Sequence, residues 1–188
     1  MAREKMIPAT WNTRIPVETG DENAFSSFFS WDLDLPGNLE YFGQVYSFSG
    51  LLHVEVEKTA DGKSFWVEMK LSCKGSVPCA RCLKETPLEI GGTFRYFYTP
   101  SAEGNGQAAE DESTVPYPED SVDIDLSAQI WESLVISLPE KALCAEECAG
   151  LCPSCGADLN LGPCSCPTES SDPRMQALRD AMPGVSED

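Results

Sequence analysis

Apolar and polar residues alternate with a period of two through the middle of the chain. The first run places Leu52, Val54 and Val56 on one side. The second run is longer, and its apolar members are Phe65, Val67, Met69, Leu71 and Cys73. Alternation of this kind is typical of strands that bury one face, and the intervening Asp61-Gly62 favours a hairpin. We therefore expect antiparallel strands, with Cys73 as a core residue and His53 on the solvent side.

A third alternating run follows, with its apolar positions at Leu88, Ile90, Phe94, Tyr96 and Tyr98. Gly91-Gly92 interrupts it, which predicts a bulge or a sharp bend. The connection before this run carries the cysteine pair Cys79 and Cys82. The pattern predicts a sheet of about four strands with these two cysteines at a turn.

The period then changes to that of a helix, because Leu126, Ile130, Leu134 and Leu138 recur every four residues. Asp123 or Asp125 is the expected N-cap, and Pro139 should end the helix. A second, short helix is predicted from Asp172-Pro173 through Met182. The expected fold class is α+β: an antiparallel sheet of about four strands packed by one main helix, with a C-terminal cysteine-rich zinc ribbon.

Composition divides the chain into three parts. Residues 1–38 read as an N-terminal extension whose aromatic residues dock on the body. Residues 39–140 hold the sheet and the main helix, interrupted at 100–121 by a flexible acidic loop without order of its own. Residues 141–188 hold the zinc ribbon and the short final helix.

Charge restricts the classes of partner. The formal net charge is -18, a field that repels nucleic acid at long range and attracts a basic protein such as a ribosomal protein. His53 is the single histidine, which argues against a histidine base or several histidine ligands. The chain shows neither a long apolar run nor a signal-peptide pattern, so we expect a cytoplasmic protein with no membrane partner and with reduced thiols.

Nine cysteines dominate the candidate chemistry, and six of them lie between Cys144 and Cys166. Setting Cys73 aside leaves eight, enough for two four-sulfur sites that would hold structural Zn²⁺. One predicted site uses Cys79, Cys82, Cys144 and Cys148. The other uses Cys152, Cys155, Cys164 and Cys166.

Three alternatives to two zinc sites remain open. One is a single zinc site with the other thiols free. Another is a different division in which Cys148 pairs with Cys152. The third is an iron–sulfur cluster, which the paired spacings favour less than zinc. A catalytic zinc is disfavoured because such sites usually keep an open water position and use histidine or carboxylate ligands.

A local basic segment runs against the overall charge. Lys70, Lys74, Arg81 and Lys84 occur with no acidic residue from Met69 to Lys84. They are a candidate contact to RNA phosphate or to an acidic protein surface. The alternative interpretation is that they only offset nearby thiolate and carboxylate charge.

Three blocks of sequence resemble the YceD family of large ribosomal RNA subunit accumulation proteins. They are CARCL at 79–83, VDIDLSAQIWESLVISLPE at 122–140, and LCAEECAGLCPSCGADLNLGPCSC at 143–166 followed by DPRMQAL. The resemblance covers residues 39–182. It carries the family pattern onto the eight predicted ligand cysteines and onto Arg81, Gly156 and Asn160. It implies a role in large-subunit biogenesis or 23S rRNA processing, without an established enzymatic activity.

The leading hypothesis is therefore a non-enzymatic, zinc-stabilised ribosome biogenesis factor. Its expected partners are the large ribosomal subunit precursor, its rRNA or its basic proteins, with no small-molecule substrate. The alternative hypothesis is a redox-switched zinc chaperone whose thiolates oxidise, release metal and expose apolar surface. A hydrolytic or RNA-modifying enzyme is disfavoured because no nucleophile, phosphate loop or carboxylate pair is evident.

Overall fold

The computed structural model describes residues 7–18, 26–101 and 113–166. A sheet of six strands dominates this part of the chain, in the order β2-β4-β5-β6-β7, with β3 also paired to β4. β1 and β8 form a separate two-stranded sheet, and Ile15 and Ile124 of these strands belong to the main core. The elements are β1 (Arg14–Pro16), β2 (Ser26–Asp34), β3 (Asn38–Tyr41), β4 (Gln44–Asp61), β5 (Ser64–Pro78), β6 (Glu85–Ser101), β7 (Thr114–Pro118), β8 (Asp123–Asp125) and α1 (Ser127–Ile136).

The predicted fold class is wrong. Instead of about four antiparallel strands packed by a main helix, the described residues form a mostly β structure with six strands in a mixed sheet and one ten-residue helix. One extra strand, β2, belongs to the segment expected only to dock, and it pairs antiparallel with β4. The other, β7, pairs parallel with β6 inside the range expected to be an acidic loop. Its Pro116 and Pro118 fit an edge strand, which can lack N–H donors.

The alternating residues are buried as predicted, and they form one core with the helix. Leu52, Val54 and Val56 are all buried, as is every apolar member of the run from Phe65 to Cys73. Ile130 and Leu134 of α1 belong to the same core. Cys73 is therefore a core residue, and its burial raises the thiol pKa to about 11.

The glycine pair marks a close approach of two backbones. A Cβ at Gly91 would lie 2.1 Å from the carbonyl oxygen of Leu71, so only glycine fits there. Pairing of β5 with β6 continues through Gly91 and Gly92 without a register shift, and the irregularity instead lies in β4 between Ser49 and His53. The predicted bulge is therefore absent at the glycine pair, and the one register shift recorded for these strands lies in β4, on the other side of β5.

The N-cap of α1 is Leu126 rather than Asp123 or Asp125, but the adjacent Asp125 supplies a polar contact at the start of the helix. Its Oδ1 accepts hydrogen bonds from the backbone N–H of Ser127 at 2.9 Å and from the Ser127 hydroxyl at 2.5 Å. Burial raises the pKa of this carboxyl, but the hydrogen bonds from Ser127 outweigh burial, and the pKa is lowered overall. Asp123 instead pairs with Arg14 at 3.1 Å. The helix ends at Ile136, before Leu138 and Pro139.

A buried lysine, which the sequence pattern did not single out, joins residues 7–18 to the sheet. Lys58 is 1% exposed, and its Nζ donates to the carbonyl oxygens of Pro16 at 2.7 Å and Val17 at 2.6 Å. It also lies over the ring of Phe65, 4.6 Å from the centroid. Burial lowers its pKa.

Two sequence predictions fall outside the described residues: the helix from Asp172-Pro173 through Met182, and residues 102–112, half of the acidic segment. No helix in the described ranges is long and apolar enough to cross a membrane.

Candidate metal centres

The turn between β5 and β6 holds the first cysteine pair. This turn, Cys79–Lys84, is called the first knuckle below. The backbone N–H of Cys79 donates to the carbonyl of Lys84 at 2.8 Å, and that of Leu83 donates to the carbonyl of Cys79 at 2.9 Å. These bonds fold the six residues tightly and turn both sulfurs toward the same side.

The segment after the helix brings a second pair of sulfurs to this turn. The N–H of Ala80 donates to the carbonyl of Ala142 at 2.8 Å, which fixes the segment beside the knuckle. The sulfurs of Cys79 and Cys148 are 3.8 Å apart, and those of Cys82 and Cys144 are 3.5 Å apart. These four residues are called the sheet-end cluster, and Cys144 is its most exposed member.

The last four cysteines form a second group, called the ribbon cluster, of Cys152, Cys155, Cys164 and Cys166. Its turn, Cys152–Ala157, is the second knuckle. The N–H of Gly156 donates to the carbonyl of Cys152 at 2.8 Å, and the N–H of Cys152 donates to the carbonyl of Ala157 at 2.8 Å. Cys155 is exposed and Cys164 and Cys166 are partly exposed, so this cluster lies closer to solvent than the first.

Both clusters fit a tetrahedral ion with four thiolate ligands. All sulfurs of a cluster lie within 4.8 Å of one another. A tetrahedral Zn²⁺ with Zn–S distances of about 2.3 Å requires sulfurs about 3.8 Å apart, which matches the pairs at 3.8 Å and 3.5 Å. The structure thus assembles two four-cysteine clusters that could hold metal ions, divided as the cysteine count predicts.

Crowding of four sulfurs gives the members of each cluster very different acidities. Backbone N–H groups directed at the sulfur, chiefly that of Cys82, lower the pKa of Cys79 to about 6. The N–H of Cys155 likewise lowers the pKa of Cys152 to about 6. The neighbouring thiol of Cys82 raises the pKa of Cys144 to about 12. Holding all four sulfurs as thiolates near neutral pH therefore requires a cation.

Asn160 connects the two clusters. It lies in the ribbon, but its Nδ2 donates to the sulfur of Cys148 at 3.5 Å, and its Oδ1 accepts the N–H of Ala149 at 2.8 Å. Asp158 holds the same amide group, with its Oδ1 at 2.7 Å from the Nδ2 of Asn160. The spacing of the cysteines gave no signal for this role, although the family resemblance included Asn160 in its pattern.

Arg81 contributes to the same region through its side chain. Its guanidinium Nη1 donates to the carbonyl of Cys148 at 2.8 Å, and its carbonyl accepts the N–H of Leu151 at 3.3 Å. A Cβ at Gly150 would lie 3.1 Å from that carbonyl oxygen, and Gly150 has a φ of 77°. Glycine at this position therefore lets the ribbon pack closely against the first knuckle.

The candidate basic contact divides into two parts. Lys70 and Lys74 lie on the solvent face of β5, where the register places Glu55 opposite Lys70 and Glu89 opposite Lys74. Arg81 and Lys84 are exposed on the first knuckle. Cross-strand carboxylates thus accompany the two lysines of the strand, whereas the other two basic residues lie on the knuckle next to the sheet-end cluster.

His53 belongs to neither cluster. It is on the exposed face of β4, and its Nδ1 contacts the carboxylate of Asp32 on β2. The side chains of both residues are more than half exposed. The prediction that His53 faces solvent is confirmed.

These features define a class: a predominantly β protein whose C-terminal cysteine segment is joined to one end of its sheet by a four-sulfur cluster. A family model described as large ribosomal RNA subunit accumulation protein YceD matches residues 67–180. The chain belongs to the YceD family, as the sequence blocks indicated. The matched range contains both cysteine clusters, but not β2, β3 or β4.

A curated relative gives a second, more limited similarity. The chain is 33% identical over 61 residues to the large ribosomal RNA subunit accumulation protein YCED homolog 1, chloroplastic, of Arabidopsis thaliana. The match covers 32% of this chain and 19% of that protein, so it spans about a fifth of the length of the relative. No solved structure matches the chain.

Proposed function

We propose that this protein is a non-enzymatic factor for the accumulation or processing of large-subunit 23S rRNA in the cytoplasm, stabilised by structural zinc. The observation that carries the proposal is the pair of four-cysteine clusters inside the region matched by the YceD family. The names of the family and of its curated relative both refer to accumulation of large-subunit ribosomal RNA, which supports the cellular role.

Zinc is the ion that best suits the eight sulfurs. Four thiolates at the corners of a tetrahedron are the ligand set of structural zinc, which leaves no open position for a substrate. Up to residue 166, where the described part of the ribbon ends, few apolar residues other than cysteines are buried. Metal binding worth on the order of 10–16 kcal/mol in zinc-dependent peptides is sufficient to order such a segment.

Charge supports a basic protein as the main partner. At a net charge of -18 the chain repels RNA at long range, and two zinc ions with four thiolates each do not reduce that charge. The negative charge of the chain attracts the basic proteins of the large-subunit precursor. The exposed Arg81 and Lys84 of the first knuckle are the local candidates for an RNA phosphate contact.

The cellular test is replacement of the protein by variants that lack one cluster. Depletion should reduce mature 23S rRNA or cause its precursor to accumulate, and Cys148→Ser should fail to restore it because the sheet-end cluster loses a ligand. Cys73→Ala is the matched control, since Cys73 lies in the core away from both clusters. Unchanged precursor and mature 23S rRNA after depletion would remove the biogenesis role.

The RNA contact has its own test. Arg81 is a poor choice for substitution because its guanidinium holds the carbonyl of Cys148. Lys84→Glu should weaken association with the large-subunit precursor severalfold while the metal content stays unchanged. Lys63→Glu is the control, because Lys63 is also exposed but lies in the β4–β5 turn. Equal weakening by both variants would show an effect of net charge alone.

The redox-switched chaperone is the second candidate, favoured by the exposure of Cys155 and the partial exposure of Cys164 and Cys166. If it is correct, mild peroxide should release metal from the ribbon cluster and produce activity that prevents aggregation of an unfolded client. Retention of metal without such activity would exclude this candidate.

A further inference from the structure

Two bulky apolar residues adopt a backbone conformation that L-residues normally avoid. Phe42 has a φ of 49° and Leu83 a φ of 62°, and they are the two non-glycine residues with positive φ among those that the structure describes. For bulky side chains this left-handed conformation is an outlier, because Cβ crowds the following carbonyl.

Phe42 occupies a turn position for which other residues are better suited. Tyr41 pairs with Gln44, so the β3–β4 hairpin is closed by the two-residue loop Phe42-Gly43, and both residues have positive φ. Such loops favour Asn-Gly, Asp-Gly or Gly-Gly. Here a phenylalanine stands in the first position. Its ring touches that of Tyr41 at 4.3 Å between centroids, yet the residue is 64% exposed.

Leu83 shows the same departure in the first knuckle. It follows Cys82 as Gly156 follows Cys155 in the second knuckle, and the φ values at the two positions are 62° and 74°. The second knuckle uses glycine, which adopts this conformation without strain. The first uses a leucine that is 68% exposed. Core packing therefore does not account for the leucine.

Both side chains lie at the same end of the sheet. Ser47 of β4 pairs with Ser76 of β5. The hairpin loop immediately precedes Gln44, the first residue of β4, and the first knuckle immediately follows Pro78, the last residue of β5. Because β4 and β5 are antiparallel, these two loops are neighbours. The segment after the helix links the two loops, because the side chain of Gln44 contacts the carbonyl of Glu140 and the N–H of Ala80 donates to that of Ala142.

From this coincidence of strain, exposure and position, we infer that Phe42 and Leu83 form a docking surface for a basic protein partner that offers apolar pockets to both side chains. Strained backbone persists where the surrounding structure imposes it and is concentrated at functional sites. Exposed aromatic and apolar side chains that enter pockets supply much of the binding energy of protein interfaces.

The chemistry of the surface favours protein over RNA. RNA-binding sites that grip bases use aromatic or arginine planes for stacking. Phe42 offers one such plane, but Leu83 has none, and the guanidinium of Arg81 is held by the carbonyl of Cys148. The net charge of -18 disfavours RNA and also a second copy of this chain, whereas it attracts a basic protein. The inference rests on the proposed function, because that function supplies a particle rich in basic proteins.

Variants that relieve the backbone strain can distinguish a role of these side chains in docking from a role in folding. Phe42→Asn and Leu83→Gly suit the left-handed conformation and remove the apolar side chain at each position. The melting temperature should stay the same or rise, while co-sedimentation with purified large-subunit precursor particles should fall at least about tenfold. Val122→Ala is the control, since Val122 is 82% exposed with ordinary backbone, and it should bind normally.

A photo-crosslinking residue identifies the occupant. The variant Phe42→benzoylphenylalanine, illuminated with the same precursor particles, should crosslink to a ribosomal protein. A crosslink to rRNA, to a second copy or within the chain would overturn the inference.

The outcomes separate the docking surface from the proposed function. If the wild type binds the particle and Phe42→Asn and Leu83→Gly bind equally well, the docking surface is excluded while the proposed function stands. Loss of binding accompanied by a lower melting temperature would assign the two residues a structural role. Absence of wild-type binding to the particle would count against the proposed function as well.

Discussion

Single side chains decide how the eight sulfurs are held. Counting cysteines suggested two clusters, because the alternating pattern removed Cys73 and left eight sulfurs. It left a single site and a pairing of Cys148 with Cys152 open, and the fold supplied the division into two sets of four. Hydrogen bonds that reach between segments distant in sequence were not predictable in this way. The contacts of Asn160 with Cys148 and of Arg81 with the carbonyl of Cys148 depend on the fold, over separations of 12 and 67 residues.

Asn160 should affect the cluster to which it does not belong. Asn160→Ala removes the N–H donated to the sulfur of Cys148 and should lower the affinity of the sheet-end cluster for metal by about tenfold, since outer-shell hydrogen bonds orient ligands. Cobalt titration with a competing chelator measures this. Leu161→Ala, at an 88% exposed neighbour, is the control. Unchanged affinity in Asn160→Ala would show that the contact is incidental.

Ionisation of the buried Cys73 thiol should lower the free energy of unfolding at alkaline pH. Its folded pKa of about 11 exceeds the ordinary value of 9.0, so the folded thiol keeps a proton that the unfolded thiol loses. Its contribution is fully present below pH 9 and should fall by about 2 kcal/mol as pH rises to 11.

Denaturant unfolding across this pH range, compared with Cys73→Ala, isolates the effect of Cys73. The variant should be less stable at neutral pH but show a shallower alkaline decline. Identical declines would assign the pH dependence to other groups, such as Tyr98, whose pKa burial also raises.

At the scale of elements, local patterns predicted some features and long-range pairing decided the rest. The alternation that defines β4, β5 and β6 is a local property, so these strands and the Asp61-Gly62 hairpin were predictable. The place of β2 was not, because its alternating Phe29, Trp31 and Leu33 also suit an extension that packs on a body. Parallel pairing of β7 with β6 leaves no local signal, and its prolines argue against a strand.

The two cysteine segments should release metal at different rates. Three sulfurs of the sheet-end cluster are buried, whereas three of the ribbon cluster are exposed or partly exposed. A chelator should therefore remove one ion quickly and the second slowly. Cys155→Ala should abolish the fast phase and Cys82→Ala the slow one. Release in a single phase, or loss of the opposite phase in these variants, would contradict this assignment.

The charge of the whole molecule governs its encounters. A net charge of -18 is a property of the sequence, so the class of long-range partner could be argued without a structure. The structure adds that the exposed Arg81 and Lys84 lie at one end, on the first knuckle. The same end carries the strained Phe42 and Leu83. The acidic residues of the whole chain therefore attract a basic partner over a distance, whereas the residues at this end of the sheet make the close contact.

Association with large-subunit precursor particles should weaken as salt increases. Screening lengths fall from about 10 Å at 0.1 M to about 3 Å at 1 M ionic strength, so the attraction of basic proteins to this chain should decline severalfold over that range. Sedimentation at several salt concentrations measures it, and protein-free 23S rRNA should bind more weakly than the particle throughout. Tighter binding to naked rRNA at low salt would contradict a protein partner.

The sheet-end cluster also bears on the order in which the protein matures. Cys79 and Cys148 are 69 residues apart, and closing this loop costs more entropy than closing the short ribbon loop, although the cost rises slowly with length. The ribbon cluster spans 15 residues, from Cys152 to Cys166, and can capture an ion while the rest of the chain is unfolded. Because these sulfurs come from the β5–β6 turn and from the segment after α1, we expect them to meet after β5, β6 and α1 have packed. Metal bound at the sheet-end cluster would therefore mark a fully folded chain. The Phe42–Leu83 surface beside this cluster would then be available only on folded molecules.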